Sequence, residues 1–149
     1  MNMNHLILLA ESGSDITPEL AEANGIVIVP MHVSFGGETR DDGSFPVPEM
    51  FEFYKKHREL PRTSGCTPHD FEVVFERLDR EYPGVPILYL AYSSSTTCSM
   101  QSALIAAQGR ENFLALDTKC VAAGQAAVVL TIARLLREHP ETTLEQAAD

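Results

Sequence analysis

Apolar residues along this chain fall into short unbroken runs, and between the runs they recur every three or four positions. Leu6-Ile7-Leu8-Leu9-Ala10, Ile26-Val27-Ile28-Val29, Ile87 to Tyr92 and Phe113-Leu114-Ala115-Leu116 are the runs. Each is short and polar-bounded, as expected for a strand covered on both faces. Thr17-Pro18-Glu19 starts a helix with Thr17 as cap and Pro18 in the first turn, and Asn24-Gly25 stops it. Thr67-Pro68 starts another, in which Phe71, Val74, Phe75 and Leu78 form one apolar stripe and Pro83-Gly84 marks the end. Gln101 to Gln108 and Ala122 to Arg137 complete the helical segments, the latter with an apolar face broad enough for both a sheet and another helix. Strand and helix in alternation predict an α/β fold: a three-layer α/β/α domain around a mostly parallel sheet of about four or five strands.

The segment between the second strand and the Thr67 helix is less regular. Met31 to Phe35 reads as a further strand turned by Gly36-Gly37, and the polar stretch from Glu38 to Phe45 as an exposed hairpin or loop. Pro48 opens a helix expected to carry Met50, Phe51, Phe53 and Tyr54 toward a core, with Lys55, Lys56, His57 and Arg58 at its C-terminal end, where cations suit the helix dipole. Leu60 to Cys66 reads as a loop. At the end, Thr142 followed by Glu145 gives a capping-box pattern for a helix that stops within two turns, which suggests a truncated chain: residues 1–149 read as one domain, with the first of two as an open alternative.

Composition narrows the function. At 149 residues the chain has the size of one domain. Its 11 basic against 21 acidic residues give a net charge of −10, with no local basic stretch, which excludes nucleic acid as partner. No apolar run reaches the roughly 20 residues of a membrane-spanning helix. The opening Met1-Asn2-Met3-Asn4-His5 lacks the basic start of a secretory leader. Cys66, Cys98 and Cys120 match no zinc or redox spacing, and their odd number favours reduced thiols and a cytoplasmic location.

Ligands of open parallel sheets sit at the carboxyl ends of the strands. Here those ends run into Glu11–Asp15, Ser93–Ser99 and Asp117–Lys119, and the Arg62-Thr63-Ser64-Gly65 loop precedes a helix start. Ser93 to Ser99 holds six hydroxyls in seven residues. Hydroxyls and free amides at helix starts can receive a small anion, a carboxylate or a phosphate; the same hydroxyls can also do no more than cap a helix. Chemistry has less support. No G-x-S-x-G elbow accompanies the serines, and His5, His32, His57, His69 and His139 fall on predicted helix surfaces, the amino terminus or loop starts. No phosphate-binding glycine loop is present, and a metal site from His32, His69 and Asp117 has no supporting spacing. Three readings stay open at this point: a carboxylate binder, a hydrolase or transferase using Ser94 as nucleophile, and a small phosphate-ligand binding domain.

The ordered string of motifs resembles the DegV family of bacterial fatty-acid-binding proteins. The resemblance is carried by Ser12 to Asp15 with Thr17-Pro18-Glu19-Leu20-Ala21 and Gly25 to Pro30, then by Phe35-Gly36-Gly37-Glu38 with Asp42-Gly43. Leu60-Pro61-Arg62-Thr63-Ser64 follows, and then Ser93-Ser94, Gln101-Ser102-Ala103, Asp117-Thr118-Lys119 and Gly124-Gln125. It implies a lipid-binding carrier without catalytic residues, metal or cofactor, whose ligand is a long-chain fatty acid and whose partner is a fatty acid kinase subunit. The acyl carboxylate would be held by Thr63 and Ser94, with Ser93 as close competitor, and Ser12, Ser64 and Ser95 would support the loops. The tail would lie between this domain and a C-terminal lipid-binding domain that also supplies a basic residue. That second domain has no counterpart in these 149 residues, so an isolated domain is expected to self-associate through the uncovered apolar face. Glu11 stands where the family usually has aspartate, and Ser95 to Ser99 replaces its usual Gly-Leu-Ser-Gly-Thr.

Overall fold

The structure, a computed structural model, describes residues 5–148. Met1–Asn4, weighed above as a leader, and Asp149, the end of the last helical segment, lie outside the described residues. Four parallel strands form the central sheet: β1 (Ile7–Glu11), β2 (Ile26–Val29), β6 (Ile87–Ala91) and β7 (Phe113–Asp117), in the order β2-β1-β6-β7. The helices are α1 (Pro18–Asn24), α2 (Pro48–His57), α3 (Pro68–Glu81), α4 (Ser99–Ala106), α5 (Ala122–Glu138) and α6 (Leu144–Ala148).

Alternation along each strand divides the core in two. Ile7, Leu9, Ile87 and Tyr89 face α3 and α4, where Phe71, Val74, Phe75, Leu78 and Ala103 meet them. Leu6, Leu8, Ala10, Leu88 and Leu90 face the other way, onto Ala21 of α1 and Val129, Ala133 and Leu136 of α5. Both faces of β1 and β6 are buried, which is why their sequences read as continuous apolar runs. Full burial of one such large side chain contributes about 1.5–3 kcal/mol. This is the expected three-layer α/β/α arrangement.

A second, three-stranded antiparallel sheet of β3 (His32–Phe35), β4 (Glu38–Asp41) and β5 (Arg62–Ser64), in the order β4-β3-β5, sits beside the first. Gly36 and Gly37 turn β3 into β4 with φ of 63° and 80°, the two positive values a two-residue hairpin requires. Phe35 packs against Phe45 and Phe53, and the Arg40 guanidinium lies over the Phe35 and Phe45 rings while pairing with Glu49.

Three expectations are corrected here. Residues 62–64 are a strand, because Val33 and its neighbours pair with them, Val33 opposite Thr63 and His32 opposite Ser64; three polar residues between Pro61 and Gly65 show no period of their own. Helix α2 buries none of its residues: Phe51 is 59% and Tyr54 39% exposed, and Phe53 alone of its aromatic residues stacks on the small sheet through Phe35. The capping box of α6 is one residue later than expected, with the Gln146 backbone N–H donating to Thr143 Oγ1 and the Thr143 N–H donating to Gln146 Oε1.

Candidate functional site

The carboxyl ends of β1, β6 and β7 lie side by side, and their loops meet. At the end of β6 the chain turns through Ser93 to Thr97, with the Thr96 and Thr97 N–H groups both donating to the Ser93 carbonyl. The neighbouring connection reaches the same place from the small sheet. The Cys66 N–H donates to Ser99 Oγ at 3.0 Å, and Gly65 lies so close to Thr97 and Ser99 that a Cβ would fall 2.1 Å and 2.6 Å from their hydroxyl oxygens. Gly65 is therefore required by space. Gly65 and Cys66 are thus in direct contact with Thr97 and Ser99, and Thr63 stands two residues before Gly65, on the edge strand β5 opposite Val33.

The hydroxyls differ in what they already hold. Ser94 Oγ donates to Asp117 Oδ2 at 2.5 Å, and the Ser94 N–H to Asp117 Oδ1 at 3.3 Å. Asp117 also receives the Lys119 N–H at 2.9 Å. The Ser94 hydroxyl, then the Lys119 amide, hold the Asp117 carboxyl below the usual carboxylate range. The hydroxyls of Ser93, which is 6% exposed, and of Thr63 have no hydrogen-bond partner among the described residues. Ser12 Oγ accepts the Met31 N–H at 3.0 Å and ties the β1 loop to the residue before β3; Ser64, the last residue of β5, and Ser95, in the turn after β6, are exposed.

Beneath the turn lies a buried polar cluster. Glu11, fully buried at the end of β1, accepts the Tyr92 N–H with both oxygens at 3.1 Å, the Gln125 Nε2–H at 2.8 Å and the Tyr89 hydroxyl. Gln125 also donates to the Leu90 carbonyl at 2.9 Å. Burial pushes the Glu11 carboxyl above its ordinary value, and the bonds from Tyr89, Gln125 and Tyr92 only partly offset this. The sequence marks Glu11 at the end of its strand and Gln125 within the resemblance, but reading it for hydroxyls gives neither a partner and passes over Tyr89. Their signal is there nonetheless: an acid closing an apolar strand and an amide within an apolar helix face each need a buried partner.

A family model described as "Uncharacterised protein, DegV family" matches residues 5–147. The chain belongs to the DegV family. A DegV domain-containing protein of Caldanaerobacter subterraneus is 31% identical over 140 residues, 91% of this chain and 49% of that one. Another, of Clostridium perfringens, is 27% identical over 137 residues, 90% of this chain and 48% of that one. The chain thus spans about half the length of the curated relatives it matches. Among solved structures it superposes on a DegV family protein of Thermus thermophilus, reported for its fatty acid binding, with a TM-score of 0.84 and 28% identity over 95% of this chain and 50% of that one. A Thermotoga maritima protein reported to reveal a fatty acid binding function gives a TM-score of 0.75 and 26% identity, covering 95% of this chain and 52% of that one.

Two cavities bear on the site. A shallow one of about 680 Å³ follows Ser94 to Cys98 and continues over the Met100 and Leu104 side chains of α4. The other, about 840 Å³, runs along the free edge of β2 between α1 and α3. It touches Ser12 but none of Thr63, Ser93 and Ser94. Hydroxyls beside an apolar helix face offer a monoanionic head group its donors and a hydrocarbon tail its surface. A serine nucleophile is poorly served: the base nearest Ser94 is an Asp117 carboxylate made less basic by its bonds, and no histidine bonds to the Ser93–Ser99 hydroxyls among the described residues. No group of three or more His, Cys, Asp or Glu side chains able to hold a metal occurs among the described residues, and none of their helices is long and apolar enough to cross a membrane.

Proposed function

We propose that this chain binds a long-chain fatty acid and holds its carboxylate with hydroxyls from two connections, Thr63 on one and Ser93 and Ser94 on the other. Ser12, Ser64 and Ser95 support those connections. The observation that carries this reading is the contact of Gly65 and Cys66 with Thr97 and Ser99, which brings the two hydroxyl-bearing segments to one place. Family membership adds to it, since relatives of Thermus thermophilus and Thermotoga maritima are reported to bind fatty acids. Burying the tail contributes about 0.8 kcal/mol per methylene, so hydrocarbon contact supplies affinity and the hydroxyls supply orientation. Met100 and Leu104 offer the first apolar surface next to Ser94.

In this reading the protein works in the cytoplasm as a carrier. The head group stays at an accessible lip, and an ATP-using fatty acid kinase performs the phosphoryl transfer, with no catalytic residue contributed by the carrier. The unmatched half of the relatives' length would form the opposite wall of the tail site as a second, lipid-binding domain with a basic residue near the carboxylate. A single domain on its own then leaves apolar surface uncovered and self-associates, which light scattering at increasing concentration detects; a monomer throughout contradicts this part.

The test is native mass spectrometry of the delipidated chain mixed with oleate or with inorganic phosphate. A one-to-one oleate complex, with no phosphate complex at equal concentration, supports the proposal. Phosphate retained and oleate absent would replace it with the phosphate-ligand reading.

A further inference from the structure

β2 is an outer strand with the sequence of an inner one. Its residues, Ile26-Val27-Ile28-Val29, include no charge and no proline, the devices that commonly blunt an exposed edge. The edge strand β4 shows the contrast, with Glu38, Arg40 and Asp41 among its four residues. β2 pairs with β1 alone. Beyond that ladder the backbone groups of Ile26, Val27 and Ile28 have no hydrogen-bond partner among the described residues, and the Val29 carbonyl accepts from the Cys66 thiol at 3.8 Å. Val27 packs toward the α3 side of the sheet and Ile28 toward the α1 side. Both stay half-buried, whereas Leu9 and Ala10, their partners on β1, are fully buried.

The cavity of about 840 Å³ lies where a fifth strand would continue the sheet. One wall is Ala21 of α1 with Ile16 before it, and the other is Leu78 of α3 with Tyr82 after it. Element order fixes what stands at each end. Glu22 belongs to the helix end that turns through Gly25 into β2, and Glu81 closes α3, which leads back to the start of β6; both border the amino end of β2. Asp15 follows β1, and the Asp42 N–H donates to the Met31 carbonyl just past β2, so these two border the carboxyl end. Four exposed carboxylates thus bracket an apolar slot that holds one cation, Arg77.

We propose that the free edge of β2 is a docking site for an extended peptide segment of a partner protein, a short apolar stretch flanked on both sides by Lys or Arg, which adds to the sheet as a fifth strand. Main-chain bonds to β2 supply affinity, the two walls take the side chains of alternate faces, and the end carboxylates select the flanking cations. Four residues of strand span about 13 Å, the reach of β2 itself. A second copy of this chain is a poor occupant, because edge-to-edge pairing sets the carboxylates of one slot against those of the other. The slot contains none of Thr63, Ser93 and Ser94, and the inference stands apart from the fatty-acid reading.

The test mixes the whole chain with the peptide acetyl-Lys-Lys-Val-Ile-Val-Val-Lys-Lys-amide and reads amide hydrogen exchange residue by residue. In a parallel ladder every second N–H of β2 points away from β1. Those amides should exchange fast in the free chain and slow at least about tenfold when the peptide is bound, while the intervening ones stay protected throughout. Two control peptides separate strand addition from apolar contact. Glu in place of each Lys, or Pro at the second and fourth apolar positions, should each weaken binding at least about tenfold, the first through charge and the second through lost N–H groups. The chain variant Glu22→Lys/Glu81→Lys, changed only at exposed positions, should weaken the lysine peptide by a similar factor with an unchanged melting temperature. Four outcomes overturn the proposal: slow exchange at all of Ile26–Val29 in the free chain, no binding of the lysine peptide, equal binding of the three peptides, or displacement of the lysine peptide by oleate, which would give the slot to a hydrocarbon tail.

Discussion

Gly65 and Thr97 lie in connections that follow strands of different sheets, and they touch: a Cβ on Gly65 would lie 2.1 Å from Thr97 Oγ1. Since the crowding atoms are short hydroxyl side chains on a turn held by its own hydrogen bonds, they have little room to retreat. Gly65→Ala should therefore push the 62–66 segment away from the 93–99 segment. The expected cost is about 1–3 kcal/mol, as for other overpacking changes, together with weaker oleate binding. Adding Thr97→Ala removes the nearer of the two clashing atoms and should recover part of both losses. Chemical denaturation of the two variants checks this; a Gly65→Ala chain as stable as the parent would show that the segments are not in contact.

His32 links the small sheet to the main domain. Its Nδ1 meets Asp41 at 3.1 Å and its Nε2 meets Asp70 at 2.8 Å, with the ring 14% exposed. Burial alone would lower its pKa, but the bond and charge of Asp70, and then Asp41, outweigh burial and hold it above the ordinary value. A raised histidine contributes stability that is fully present below its unfolded value of about 6.5 and is lost as pH rises through the folded value. The stability difference between the unmodified chain and His32→Gln should accordingly be largest in mildly acidic solution and shrink toward alkaline pH. Asp70, held low although burial opposes it, sets the acid limit by the opposite sign: its contribution is lost as pH falls through its folded value. Thermal melts of both chains across pH give the curve, and a difference growing above neutrality would refute the ion-pair account.

The three cysteines should separate by reactivity. Cys66 is 1% exposed and burial pushes its thiol far up, whereas Cys98 is exposed at the start of α4 and Cys120 is half-buried. A thiol reagent added to the folded chain should modify Cys98 first and leave Cys66 untouched until denaturant is added. Peptide mapping after brief alkylation decides it; early modification of Cys66 would mean that the 62–66 segment opens readily.

Glu11→Ala should be among the most damaging single changes. It strands the Tyr92 N–H, the Tyr89 hydroxyl and a Gln125 N–H in the interior at once. An unpaired buried group costs about 1–3 kcal/mol, so a loss of roughly 3 kcal/mol or more is expected, and Glu11→Gln, which keeps the shape and some acceptors, should lose less. Equal melting temperatures for Glu11→Ala and the parent would contradict the network.

Much of the architecture was legible because burial on both faces writes itself as uninterrupted apolar runs. Ile7–Glu11 and Ile87–Ala91 are such runs, and Phe71, Val74, Phe75 and Leu78 carry the period of α3. The small sheet was legible only in part. Arg62–Ser64 becomes a strand through pairing with His32–Ser34, a tertiary event that three polar residues do not announce. The aromatic residues of α2 misled for the converse reason: Phe51 and Tyr54 mark an apolar face, but no second layer covers it among the described residues. At the site, the hydroxyl-rich segments could be picked out by composition, whereas the division between a free Ser93 and an anchored Ser94 depends on which side of β6 Asp117 lies.

The central claim is that hydroxyls from the 63–64 and 93–94 segments share one carboxylate. The most direct measurement is the 13C spectrum of carboxyl-labelled oleate bound to the 149-residue chain. A distinct bound carboxyl resonance is predicted for the unmodified protein, and it should be shifted or lost in Thr63→Ala and in Ser93→Ala alike. The same resonance at the same position, with unchanged affinity, in the Thr63→Ala/Ser93→Ala double variant would contradict the account.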